Sequence, residues 1–174
     1  SEESGSLSHS LAGAVAPRLE IEVVFQLASV NPLQFEWIAL GYEIVQSHFG
    51  NWDFSSADAV ADFGLHRALL IGDRVSATPG LVSELTNLEV MLFCNEAEIA
   101  SGVGSNVLGG PAIAIDWLVT LLESQPEAEK LQAGEIVTTG ALTGAHPVSQ
   151  GQTWTVRLGG GKNVLPTPTL LLED

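Results

Sequence analysis

The sequence predicts a β-rich α+β fold with few helices, in one domain over residues 13–174 behind a flexible polar tail over residues 1–12. Three observations carry this. Segments with the period or composition of strands recur along the chain, whereas helical spacing is sustained only once, after Pro111. Turn residues punctuate those segments at short intervals, with 18 Gly and 8 Pro in 174 residues. Hydrophobic residues make up 45% of the chain, enough to bury one sizeable core.

Taken in order, Ser1 to Ser10 is polar and has neither the basic nor the apolar part of a secretory signal, so it reads as the tail. RLEIEVVFQL, Arg18 to Leu27, alternates as a strand, with Leu19, Ile21 and Val23 on one face and Glu20 and Glu22 on the other. Asn31 reads as a helix cap and Pro32 to Ile38 as a short helix. Ala39 to Phe49 is β-branched and aromatic, a second strand that puts Glu43, Val45 and Ser47 together and His48 on the opposite face. Ser55, Ser56 and Asp58 mark a helix start, and Gly64 its end.

His66 to Gly72 and Leu88 to Gly102 read as strands, the second a hairpin turning near Asn95. Gly102 to Pro111 is a glycine-rich loop, read as a close approach to the sheet, that opens into the main helix. There Ile113, Trp117, Leu118, Leu121 and Leu122 follow helical spacing. Glu135 to Thr139, Thr153 to Leu158 and a segment near Leu170 complete the strands. Trp37, Trp52, Trp117 and Trp154 read as core anchors, and Cys94 as a buried small hydrophobe.

The charge is lopsided, with 21 acidic against 6 basic residues and a formal net charge of -15. That opposes binding to nucleic acid or to anionic membrane surfaces. The apolar runs at Ala112 to Leu122 and Thr167 to Leu172 are too short or too interrupted to span a bilayer. A single cysteine forms no intrachain disulfide, which fits the cytoplasm. The excess carboxylates form either a solvated acidic surface or, for a few of them, a cation site. Glu20 and Glu22 on one strand face and Glu43 on a neighbouring strand are the group to consider, because converging carboxylates are costly without a cation. Oxygen-only ligands suit Mg²⁺ or Mn²⁺; a solvent-facing strand edge is the alternative.

PRLEIEVVF and ALGYEIVQSHFGNWDF resemble consecutive segments of the fumarylacetoacetate hydrolase superfamily, in its 2-keto-4-pentenoate hydratase and 2-oxo-3-hexenedioate decarboxylase (4-oxalocrotonate decarboxylase) branch. DAVADFGLHRALLIG, GVGSNVLGGPAIAIDWLVTLL and LQAGEIVTTGALTGAHPVSQGQTWTV resemble three further blocks in the same order, so the likeness runs from Pro17 to Leu158. The resemblance implies a mixed β-sheet roll like the C-terminal part of those enzymes, with Glu20, Glu22 and Glu43 as ligands of Mg²⁺ or Mn²⁺. It also implies a small 2-oxo acid substrate that chelates the ion, hydration or decarboxylation through an enolate that the ion stabilises, and a homo-oligomer.

Asp62 and His66 are the candidate acid and base, and Leu65, Thr139, Gly140 and Thr143 the candidate substrate contacts. The sequence departs from the family pattern at Phe63, Gly64 and Leu65, which make the pocket more apolar, and at Ala141, where relatives place a hydroxyl. Relatives also carry a preceding region with an active-site lysine. Here the lysines are Lys130 and Lys162, neither of which replaces it. The alternatives are an acylpyruvate-type C–C hydrolase and a noncatalytic partner subunit that keeps the fold. His48 reads as a residue behind the ligands, and His9 and His146 as tail and loop residues.

Overall fold

The computed structural model describes residues 5–160 and 164–173; Lys162 and the first four residues of the expected tail lie outside them. Strand β1 is Ser6–Ser10, β2 Arg18–Val30 and β3 Leu33–Val45, followed by helix α1 at Ser56–Ala61. Strands β4 (His66–Ile71) and β5 (Val75–Ser76) precede α2 (Pro79–Glu84), and β6 (Glu89–Cys94) and β7 (Ala97–Val103) precede α3 (Pro111–Ser124). The chain ends on β8 (Ile136–Thr138), β9 (His146–Pro147), β10 (Thr153–Leu158) and β11 (Thr169–Glu173).

Two sheets result. One runs β1-β11-β10-β6-β7, and the other runs β4-β3-β2-β8, with β5 added to β3 and β9 to β2. Their inner faces make one core. Leu19, Ile21, Val23, Phe25 and Leu27 alternate along β2 and meet Ile38, Leu40, Tyr42 and Ile44 of β3 with Val90, Leu92, Trp154, Leu170 and Leu172 of the other sheet. Alternation of inward apolar and outward residues along β2 therefore decides which face carries the glutamates. Tyr42 is fully buried, and its hydroxyl donates to the carbonyls of Pro168, 2.9 Å, and Trp154, 3.3 Å. Tyr42→Phe should cost about 1–2 kcal/mol of unfolding free energy in urea titration, since it leaves buried acceptors without their donor.

Several expectations are corrected. The polar tail contains β1, whose backbone pairs in parallel with β11 while Leu7 packs against the core. A strand with one inward apolar side chain is held by its ladder, which composition does not reveal. Pro32 to Ile38 is not a helix: the chain reverses at Asn31 and Pro32, and Leu33, Phe35 and Trp37 alternate with exposed Gln34 and Glu36 at the start of β3. The second strand stops at Val45, so His48 lies beyond it, outside any strand face. In α3 the helix is as expected but its buried side is Pro111, Ala114, Ile115 and Val119, while Ile113 and Trp117 are more than half exposed. Asp116, Thr120 and Glu123 recur at helical spacing and mark the solvent side, and Ile113 and Trp117 share that side with them. For the same reason Trp117 is not a core anchor, whereas Trp154 and Trp37 are.

Other features agree with the sequence. Ser55 caps α1 and Asp58 closes a capping box with it. Asn95 and Glu96, with φ 47° and 69°, turn the β6–β7 hairpin. Cys94 is buried. Gly104–Ser124 has the length and mean hydropathy, 21 residues and 1.4, of a bilayer-crossing segment. Its continuous helix is only the 14 residues of α3, roughly 21 Å at the α-helical rise, short of a bilayer core, and it packs against the protein core.

Candidate metal centre

Antiparallel pairing of β2 and β3 sets Glu20 directly opposite Glu43 and Glu22 opposite Gly41. All three glutamates occupy the face of the sheet turned away from the core, and one carboxylate oxygen from each falls within 4.8 Å of the others. The expected convergence of Glu20, Glu22 and Glu43 is therefore what the register produces. Gly41 matters here, because a side chain at that position would collide with Val24 Cγ2 at 2.7 Å beside the Glu22 side chain.

Glu22 is 2% exposed, and Glu20 and Glu43 are partly buried. Burial is the main cause that pushes the Glu22 carboxyl up to about 8. The charges of Glu43 and Glu20 add to it, and the backbone N–H of Gly140 opposes it by donating to Oε2 at 2.9 Å. Glu20 is raised as well, first by burial and then by Glu43. Two carboxylates driven toward protonation by burial, with a third beside them, are the electrostatic signature of a cation site. The donor set is all oxygen, which fits a hard divalent ion.

The remaining predicted residues separate into two pairs. His66 opens β4 opposite Val45, where a register shift beside Ile44 aims it at Glu43, with Nδ1 2.6 Å from Oε1. Asp62 instead accepts from His48, with Nδ1 2.7 Å from Oδ1, and that bond is the first cause holding Asp62 below the usual carboxylate range. Asp62 and His66 are thus not each other's partners: the turn Phe63, Gly64, Leu65 between them has three consecutive left-handed residues, φ 56°, 66° and 65°, that part their side chains. Leu65 gives its carbonyl to Gln46 N–H. Thr139 is buried and donates its hydroxyl to the carbonyl of Val23, fixing the turn from which Gly140 reaches Glu22. Thr143 donates to the carbonyl of Gly144. Sequence reading missed the His66–Glu43 contact, although a histidine starting the strand next to Glu43 was its visible signal.

Comparison with known proteins follows from this geometry. No family model matches the chain. It is 30% identical over 162 residues to the 2-hydroxyhexa-2,4-dienoate hydratase of Comamonas testosteroni, a match that covers 86% of this chain and 59% of that enzyme. It is 31% identical over 118 residues to the 4-oxalocrotonate decarboxylase of Pseudomonas sp. strain CF600, covering 68% of this chain and 43% of that one. The chain belongs to the fumarylacetoacetate hydrolase superfamily. Within that superfamily its relatives are the hydratases and decarboxylases to which the sequence was likened. The fold agrees. The 4-oxalocrotonate decarboxylase of Pseudomonas putida G7, solved with magnesium and adipate, superposes with a TM-score of 0.82 at 23% identity, over 96% of this chain and 64% of that one. The chain spans less than two thirds of the length of these proteins.

Lys130 is accounted for within the fold. Its ammonium donates to the carbonyls of Leu122 and Gln125 at the end of α3, where unpaired carbonyls attract a cation. It is a helix-capping residue rather than a group of the glutamate site.

Proposed function

We propose that this chain carries the metal site of a lyase that hydrates a 2-hydroxy-2,4-dienoate or decarboxylates a 2-oxo-enedioate. The observation that carries the reading is the convergence of Glu20, Glu22 and Glu43 on one sheet face, with Glu22 buried and its carboxyl raised. Those three residues would hold Mg²⁺ or Mn²⁺. When bound there, the ion supplies Lewis-acid stabilisation for the negative charge that a 2-oxo acid develops on its 2-oxo oxygen.

The chain's own residues do the rest. Gly140 N–H and His66 Nδ1 each occupy one carboxylate oxygen, and so orient Glu22 and Glu43. Phe63, 79% exposed on the turn after α1, lies beside the His66 ring and offers an apolar surface to the hydrocarbon part of a substrate. His66 is the proton-carrying side chain beside the glutamates; among the described residues its Nε2 has no hydrogen-bond partner, so that atom can exchange a proton with a substrate. Asp62 is held by His48 instead, which makes it a residue that anchors the Phe63 turn. Assembly into a homo-oligomer belongs to the same reading, supported by the exposed apolar Leu108, Ile113 and Trp117.

Calorimetric titration of metal-stripped protein with Mg²⁺ and Mn²⁺, with and without oxalate as a mimic of the chelating acid, tests this. Binding of either ion, tightened by oxalate, is the expected result; no binding of either ion overturns it. Glu43→Gln keeps the shape of the side chain and removes one negative ligand. It should weaken binding at least tenfold, about 1.4 kcal/mol, and unchanged affinity would remove Glu43 from the site.

A further inference from the structure

Two of the three glutamates reach the site with one oxygen already engaged by a protein N–H. Gly140 N–H lies 2.9 Å from Glu22 Oε2, and His66 Nδ1 lies 2.6 Å from Glu43 Oε1. Among the described residues, Glu20 has no such donor. An ionised carboxylate only accepts hydrogen bonds, so when Glu43 binds a cation the His66 hydrogen sits on Nδ1. The imidazole is placed by backbone rather than by chance of rotamer. It opens β4 against Val45, and the left-handed turn Phe63 to Leu65 delivers the chain to it.

We propose that His66 is a positioning residue that limits Glu43 to one ligand oxygen, and that the site thereby selects Mg²⁺ and Mn²⁺ over Ca²⁺. The proposal rests on the metal reading above. Mg²⁺ takes six ligands in a near-ideal octahedron and keeps several waters, so three single-oxygen glutamates suit it and leave positions for a chelating acid. Ca²⁺ takes six to eight oxygens at longer distance and commonly draws both oxygens of a carboxylate. With Oε1 committed to His66, Glu43 cannot become bidentate without losing a short charge-assisted hydrogen bond. Glu22 is restricted in the same way by the backbone amide of Gly140, which makes Glu43 the carboxylate whose ligation a side chain controls.

The test is calorimetric titration of the metal-stripped full chain with Mg²⁺, Mn²⁺ and Ca²⁺, for the parent, His66→Asn and His66→Phe. Asn carries an N–H near the place of Nδ1, whereas Phe keeps a ring and has no donor. The expected result is a shift of roughly tenfold in the Ca²⁺-to-Mg²⁺ affinity ratio toward Ca²⁺ for His66→Phe, with His66→Asn close to the parent. If His66→Phe does not fold by circular dichroism, His66→Leu, which is smaller and also has no donor, takes its place with the same expected shift. An unchanged ratio in the donor-less variant overturns the proposal, as does an equal shift in His66→Asn, which would assign the effect to packing. These outcomes leave the metal reading intact. A parent that binds none of the three ions overturns that reading and this inference with it.

Discussion

Raising the pH of the metal-free protein from about 5 to about 8.5 should lower its melting temperature by on the order of 10 °C, and saturating Mg²⁺ or Mn²⁺ should largely abolish the loss. The sign follows from the carboxyl of Glu22, which burial raises from its ordinary value of 4.5 to about 8. A carboxyl that binds its proton more tightly when folded contributes its stability in full below the unfolded value, and that contribution disappears as the pH climbs through the folded one. The window is therefore about 4.5 to 8, and Glu20, raised in the same direction, adds to it. Each tenfold difference in proton affinity is worth about 1.4 kcal/mol, so the total is on the order of a few kcal/mol. A bound dication reverses the balance by stabilising the ionised form.

Glu22→Gln isolates the effect from other titrating groups, such as His9 and His146, which burial lowers. Without metal, the variant should be more stable than the parent at about pH 8.5, and similar to it at about pH 5. It should also lose most of its affinity for either ion. Differential scanning fluorimetry at the two pH values, with and without metal, reads all of this. A parent whose melting temperature stays level across the window, with or without Glu22, would show that the buried carboxyl is solvated in a way its 2% exposure does not suggest.

The second large effect lies away from the site. Gly104→Ala should destabilise the protein by more than about 4 kcal/mol, and Gly102→Ala by a comparable amount. A Cβ on Gly104 would overlap the backbone carbonyl of Leu85, and one on Gly102 the carbonyl of Leu142. Backbone atoms at the end of α2 and in the turn after Gly140 cannot step aside as a flexible side chain does. Gly102 also lies in β7, paired with Val90, so its own shift would open the ladder. Gly80 supplies the control: it lies in α2, nothing stands within 4 Å of its added Cβ, and Gly80→Ala should leave stability unchanged or improve it by about 0.5–1 kcal/mol. Urea unfolding of the three variants checks the ranking. A Gly104→Ala protein as stable as the parent would mean that the loop stands off the turn at Leu85.

Much of the site was legible before any coordinates, because strand alternation alone places Glu20 and Glu22 on one face, away from Leu19, Ile21 and Val23. The β-rich class, the capped helix at Ser55, the hairpin at Asn95 and the long helix after Pro111 were legible for the same reason: each depends on residues close together in sequence. The failures share a cause as well. The helix expected at Pro32 to Ile38 rested on a proline and an asparagine, yet the alternating Leu33, Phe35 and Trp37 obeyed the ladder formed with β2. The strand at Ser6–Ser10 is carried by pairing with residues more than 160 positions away.

The sequence by itself determined which residue types this protein can spend on a cation, which strand face carries Glu20 and Glu22, and, through several ordered blocks, the superfamily to which it belongs. Only the tertiary structure decided that Glu43 stands opposite Glu20, that Gly140 and His66 each hold one oxygen of a glutamate, and that Asp62 turns to His48 instead. The physical reason is range. A strand's period is local and survives in one dimension, whereas a hydrogen bond 2.6 Å long between His66 and Glu43 depends on a register shift between two strands and a left-handed turn, and neither is written in residue spacing.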